Sequence, residues 1–283
     1  MNRVKVGLLV AGMLLVAAAV GGLVGAGAAI ALIKTSYNGP TEDNLATEIF
    51  VHSNILDESV RLGVRMPDEY GSDPDRRFPV LWVLDGPWQG RQIAEATRTL
   101  STVGVAAPAI VVEVPQTGAG RVDDFTPPRE LMSTAGGLGD RFLAFIEQEA
   151  IPAVGSQLRV DSTRILIGHS RGGLFAIYAL IERPNLFDGY FVFSPSAWVG
   201  NRAIVPALES RLSQPESLDT FLYLSLGEHE GNRMRDGFDA IRESLESAAP
   251  TGLVWHTDVV AGADHADTPV RSFPSAARRF WGK

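Results

Sequence analysis

Apolar residues along this chain follow two different rhythms. Residues 6–33, VGLLVAGMLLVAAAVGGLVGAGAAIALI, run for 28 positions without a charge, more than the ~20 residues a helix needs to span a bilayer. Further on, the apolar runs are short and are bounded by Gly, Pro, Asp and Asn, as strands are. Eight such runs occur: ATEIFVHS (46–53), SVRLGVRM (59–66), FPVLWVL (78–84), PAIVVEV (108–114), RILIG (164–168), GYFVFS (189–194), TFLYLSL (220–226) and LVWHTDVV (253–260). From the third on they alternate with helical periodicity over 89–102, 138–151, 171–182, 201–212, 232–248 and 270–281. The last of these repeats its apolar residues at Phe273, Ala277, Phe280 and Trp281. A hairpin followed by βαβα units predicts an α/β fold: a mostly parallel eight-stranded sheet with helices on both faces. Sites on such sheets lie at the carboxyl ends of the strands.

After the linker TSYNGPTEDN there is no internal repeat and no second linker, so residues 36–283 read as one domain and residues 1–35 as a separate N-terminal membrane anchor. Arg3 and Lys5 precede the apolar run and Lys34 alone follows it closely. The positive-inside bias therefore predicts a cytoplasmic N-terminus and an extracytoplasmic, periplasmic domain. The alternative is a long signal peptide cut near AIA at 29–31, which would release a secreted domain. Gly21 and Gly25 form a GxxxG pair, the basis for a weak dimer through the anchor.

The chain has no cysteine, which excludes disulfides, thiolate metal sites and cysteine nucleophiles. Beyond residue 35 there are 22 Lys+Arg against 33 Asp+Glu, a net charge of −11. Such a surface repels phosphate backbones, and no glycine-rich phosphate loop of the GxxxxGK type is present, so nucleic acid is not an expected partner.

Candidate chemistry centres on RILIGHSRGGLFAIYAL, residues 164–180. Gly168-His169-Ser170-Arg171-Gly172 fits the G-x-S-x-G elbow, in which the chain leaves a strand and enters a helix so sharply that the serine hydroxyl stands exposed. The elbow calls for glycine at 168 and at 172, because a β-carbon at either place is expected to crowd the turn. The Arg171 N–H, opening the new helix, is placed to donate to an oxyanion. A serine hydroxyl needs a base, and the base needs a carboxylate to orient it. In this fold class the chain order is Ser, acid, His. His265 lies in a loop after the last strand and before the last helix, where the base belongs. His52 and His256 fall inside strands, His169 is the variable elbow position, and His229 sits in the loop expected to hold the acid. That loop, Gly227-Glu228-His229-Glu230, offers two carboxylates: Glu230 is preferred and Glu228 is the alternative, with Asp264 and Asp267 as weaker ones. The second oxyanion donor is expected after the third strand, in LWVLDGPWQG. Pro87 has no N–H, so Gly86, Trp88 or Gln89 must supply it. The Pro/Gly-rich segment 115–137 is expected to form a wall or lid.

With these motifs in view, the chain resembles the putative-esterase (esterase D-like) family of α/β-hydrolases, which includes siderophore esterases and is similar to feruloyl esterases and mycolyltransferases. The carriers are FPVLWVLDG, RVDDFTPP, RFLAFIEQEAIPAV, RILIGHSRGGLFAIYAL, PNLFDGYFVFSPSAW, YLSLGEHE and GADH, spread over residues 45–282. The resemblance implies an α/β-hydrolase sheet and a Ser170–His265 pair. The feruloyl-esterase spacing of the acid falls on Glu230. Two departures lie near the expected substrate: Pro87 stands where glutamine often follows LDG, and Val199 where a second tryptophan often follows Trp198. The expectation is a membrane-anchored serine esterase that hydrolyses a small-molecule carboxylic ester, a siderophore lactone being the family's example, with neither metal nor organic cofactor. Arg121, Trp88 and Trp198 are candidate pocket residues. The rival readings are an acyltransferase using the same Ser-His-Glu site and a catalytically silent ligand-binding module.

Overall fold

The computed structural model describes residues 47–214 and 216–282. The predicted anchor, its GxxxG pair and the predicted signal cleavage lie outside these residues. Among the described residues, no helix is long and apolar enough to cross a membrane.

All eight predicted strands form. They are β1 (Thr47–Ser53), β2 (Glu58–Arg65), β3 (Phe78–Leu84), β4 (Ile110–Val114), β5 (Val160–His169), β6 (Gly189–Phe193), β7 (Phe221–Gly227) and β8 (Val254–Val260). They make one sheet in the order β1-β2-β4-β3-β5-β6-β7-β8. The sheet is mixed: β1 pairs antiparallel with β2 and β2 with β4, while β4 through β8 pair parallel. The antiparallel part follows from the short turn at 54–57, which can only return the chain beside itself, whereas each later crossover carries a helix.

The principal helices are α1 (Gly86–Thr102), α2 (Gly139–Phe145), α3 (Ile151–Gln157), α4 (Arg171–Glu182), α5 (Ile204–Leu212), α6 (Asn232–Ala248) and α7 (Thr268–Trp281). A π-helical turn, Ile146–Ala150, joins α2 to α3. The helical pattern predicted from residue 201 begins as a broken turn, because Gly200 and Asn201 both take positive φ, and becomes regular only at Ile204. The central strands β3, β4, β6 and β7 are buried at every position, as expected of strands covered by helices on both faces. Two apolar clusters flank the sheet. The larger holds Phe125, Phe142, Phe175 and α4; the smaller packs α1 and α7 against Ile165, Phe191 and Phe221. Helix α4 is buried along most of its length, so the turn that launches it is fixed by packing on all sides.

The segment 115–137 is a wall rather than a lid. Its Phe125 and Met132 are fully buried in the larger cluster, and short helical turns at Arg121–Asp124 and Arg129–Met132 use up its backbone bonds.

Candidate active site

The chain passes from β5 into α4 through Ser170, whose φ of 58° and ψ of −115° lie outside the regions a non-glycine residue ordinarily adopts. Such strain persists only where the surroundings over-determine it. The Ser170 N–H donates to the Phe193 carbonyl at 3.0 Å, and its own carbonyl accepts from Leu174 and Ser196 N–H at 3.1 and 2.8 Å. The glycine requirement is not the one expected. A β-carbon on Gly168 would lie 2.2 Å from the Gly172 carbonyl oxygen, an impossible contact, whereas one on Gly172 would meet the Leu84 and Asp85 side chains at the ordinary distances of 3.4 and 3.6 Å. Gly173 is the tighter of the two glycines on the helix, with Pro195 Cα at 3.0 Å.

The expected convergence occurs. His265 Nε2 lies 3.0 Å from Ser170 Oγ, and His265 Nδ1 lies 2.7 Å from Glu230 Oε2. The Glu230 side chain is 1% exposed, while that of His265 is 44% exposed and faces the cleft. The other Glu230 oxygen, Oε1, accepts from the Gly227 N–H at 2.8 Å and from the Ser194 hydroxyl. Burial alone would raise the Glu230 carboxyl, but hydrogen bonds from His265, Ser194 and the Gly227 amide outweigh it and hold the group below the ordinary carboxylate range. Glu228 is turned away, its carboxylate accepting from the Gly262 N–H at 2.6 Å. Asp264 and Asp267 are occupied with each other's backbone amides and that of Ala266.

Glu230→Gln is accordingly expected to lower kcat on a simple ester by about 10²- to 10⁴-fold, since an amide disturbs the tautomer and orientation of the His265 imidazole. Glu228→Gln is expected to leave kcat within about 2-fold, as an exposed position outside the relay. Steady-state rates of the two variants check the assignment, and equal losses would contradict it.

Of the three candidate second donors, the Trp88 and Gln89 amides are already spent on the Asp85 carbonyl, at 2.9 and 3.1 Å. Asp85 itself takes a left-handed conformation, φ 55° and ψ 34°, that tightens the entry to α1. This leaves the Gly86 N–H, which, like that of Arg171, has no partner among the described residues. Glycine is obligatory there: a β-carbon would sit 2.5 Å from Glu113 Cα on β4. Glu113 is itself buried and paired with Arg65 on β2.

Beside Ser170 and His265 opens a cleft of about 550 Å³, lined also by Ser196, Trp198, Arg233 and Met234. Trp198 is where the sequence put it, with its indole N–H directed at Met234 Sδ, 3.2 Å away, and the Arg233 guanidinium stacked over its ring at 4.8 Å. The other two candidate pocket residues are not among those lining this cleft. Arg121 forms a two-pronged ion pair with Asp85, at 2.6 and 2.7 Å, and reaches the His169 carbonyl at 3.3 Å, so it ties the end of β3 to the elbow. Trp88 is 42% exposed, with its ring 6.1 Å from that of His169. His169 is fully packed, and its ring lies 4.5 Å from that of His265. Burial, reinforced by the neighbouring His265, pushes its pKa down to about 3 and keeps it neutral.

Two serines that sequence reasoning left without a role belong to this centre. Ser194 is wholly buried at the end of β6 and holds Glu230; Ser196 places its hydroxyl 3.3 Å from Ser170 Oγ. Both stand at the carboxyl end of the strand next to the elbow strand, the position that could have flagged them. No group of three or more His, Asp or Glu among the described residues is arranged to hold a metal ion.

Known proteins share this arrangement of chain. A siderophore triacetylfusarinine C esterase from Aspergillus fumigatus is 34% identical over 45% of this chain and 47% of its own length. The ferri-bacillibactin esterase BesA of Bacillus subtilis is 27% identical over 64% of this chain and 71% of its own. The chain thus spans about half the length of the first of these relatives. Among solved structures, an IroE-like serine hydrolase from Shewanella oneidensis superposes with a TM-score of 0.75 at 26% identity, covering 83% of this chain and 79% of that one. The elbow, the β6 serines and the Glu230 loop all fall within residues 53–249, which match the sequence model of the family described as "putative esterase", and the chain belongs to that family.

Proposed function

We propose that the protein is a serine esterase in which Ser170 is the nucleophile, His265 the general base and acid, and Glu230 the carboxylate that orients the imidazole. The observation that carries this reading is the continuous relay from Glu230 Oε2 through both His265 nitrogens to Ser170 Oγ, opening onto a cleft. Ser170 Oγ bonds to the ester carbonyl carbon while its proton passes to His265 Nε2, and the carbonyl oxygen gains the negative charge. The unpartnered Arg171 and Gly86 amides are the candidate donors to that oxygen. As the tetrahedral species collapses, the carbon–alkoxide bond breaks and the imidazolium returns its proton to the leaving alcohol. Water, deprotonated by the same imidazole, then frees the acid and restores Ser170.

For substrate we propose a siderophore ester. The relatives from Aspergillus fumigatus and Bacillus subtilis are a triacetylfusarinine C esterase and a ferri-bacillibactin esterase, and both support this reading. The charge-free run at 6–33 further leads us to place the domain outside the cytoplasm, tethered to the membrane. The test is to incubate the purified protein with triacetylfusarinine C, bacillibactin and their ferric forms, alongside a short p-nitrophenyl ester, and to identify products by mass spectrometry. Hydrolysed ester bonds in at least one siderophore, lost in Ser170→Ala, are expected. Turnover of the simple ester alone would retain the esterase and overturn the substrate; a new ester formed with added alcohol in place of free acid would favour acyl transfer.

A further inference from the structure

Strand β8 ends the sheet, and β7 is its only strand neighbour among the described residues. On the β7 side, Val254 N–H donates to the Thr220 carbonyl and the Val260 carbonyl accepts from Glu228 N–H, both at 3.0 Å. Backbone groups alternate in direction along a strand, so those of Trp255, Thr257 and Val259 point outward, away from β7. Such an edge is a template for another strand, and proteins usually blunt it with proline, lysine or a bulge. Val254–Val260, VWHTDVV, has no proline or lysine and pairs with β7 without a register shift. Val254 and Val259 are 55% and 49% exposed.

The sequence of this edge is complementary to itself. Thr257 is the middle residue of the strand, and a two-fold axis through it, normal to the sheet, sets a second β8 antiparallel to the first. That register places Trp255 opposite Val259, Thr257 opposite Thr257, His256 opposite Asp258, and Val254 opposite Val260. Aromatic with β-branched, Thr with Thr, and imidazole with carboxylate are cross-strand pairs that suit an antiparallel sheet. The charges agree beyond the pair itself. Arg279 from α7 lies 3.3 Å from His256 Nδ1, while the Asp258 carboxylate accepts from Tyr223 OH at 2.6 Å on the same face. Each copy therefore brings the Arg279 cation, which with burial lowers the pKa of the His256 imidazole beside it, against the other's Asp258. Parallel addition in register would instead set Asp258 beside Asp258 and His256 beside His256.

We propose that β8 is a homodimer interface, in which two copies of this chain join edge to edge about Thr257 into one continuous sheet. The three outward-facing residues of each copy then exchange about six backbone hydrogen bonds. This rests on the β8 edge alone and is independent of the esterase reading.

The absence of cysteine makes a register-specific test possible in the full-length chain, purified in mild detergent. In the proposed pairing the two Thr257 Cα atoms face each other at about 5.5 Å, within disulfide range. Thr257→Cys is expected to run mostly as a covalent dimer after mild oxidation. Val259→Cys, whose opposite residue is Trp255, and Thr102→Cys, at the end of α1, are expected to remain monomeric on the same gel. Thr257→Lys, which sets two like charges on the axis, is expected to lower the dimer fraction at least 10-fold in sedimentation equilibrium of the detergent complex. Cross-linking of Thr257→Cys no greater than that of Thr102→Cys would overturn the proposal. So would a parent chain whose mass is monomeric at the concentrations used, whereas a dimer that Thr257→Lys leaves intact would assign association to another surface and overturn it equally.

Discussion

Replacing Ser170 by alanine is expected to lower kcat on a short p-nitrophenyl ester by about 10⁴- to 10⁶-fold, the range found when a nucleophile of this type is removed. Ser170 is fixed by backbone as much as by side chain: its N–H and carbonyl bonds to Phe193, Leu174 and Ser196 all survive the substitution. Alanine meets the same positive-φ penalty as serine, so the melting temperature is expected to stay within about 4 °C of the parent, a change of ~1 kcal/mol or less. His265→Ala is expected to cost a similar factor, and the double variant no more than the worse single one, because nucleophile and base act as a unit. Stopped assays at high enzyme concentration, with a melting curve for each variant, make the check. Residual turnover above one-hundredth of the parent in folded Ser170→Ala would remove Ser170 from the chemistry.

The second large effect is on stability and separates three glycines that look alike in sequence. Gly168→Ala is expected to destabilise the protein by at least ~3 kcal/mol, because its new methyl would lie 2.2 Å from a backbone oxygen at the foot of a buried helix and neither can move aside. Gly173→Ala, at 3.0 Å from Pro195 Cα, should cost less, since the 194–198 loop can yield by a few tenths of an ångström. Gly172→Ala, at 3.4 Å from a side-chain atom, is expected within ~1 kcal/mol of the parent, helped by the better helix propensity of alanine. Urea midpoints of the three variants give the order directly. A Gly172 variant less stable than the Gly168 variant would mean that the elbow is not held together as described.

The strands are legible because their apolar runs are short and separated by turn residues, and the central ones are buried on both faces. The elbow was legible because its constraints are local: strand, glycine, serine and helix follow within a few residues. The resemblance to feruloyl esterases favours Glu230 over Glu228, but only the structure supplies the reason, since Gly227 N–H and Ser194 capture one while Gly262 N–H captures the other. Arg121 is a candidate pocket residue by sequence, and in the structure it pairs with Asp85, distant in the chain. Trp88 and Gln89 kept their place as donors until the left-handed turn at Asp85 brought its carbonyl onto their amides.

By itself, then, the sequence determined where the eight strands lie along the chain, the sharp turn at Ser170 and the residue types offered around it, because periodicity and turn chemistry act over neighbouring residues. Tertiary structure alone decided which carboxylate meets His265, which amide stays free after β3, and that Ser194 and Ser196 join the centre. Those outcomes depend on hydrogen-bond competition between segments far apart in the chain, and no local pattern records who wins it.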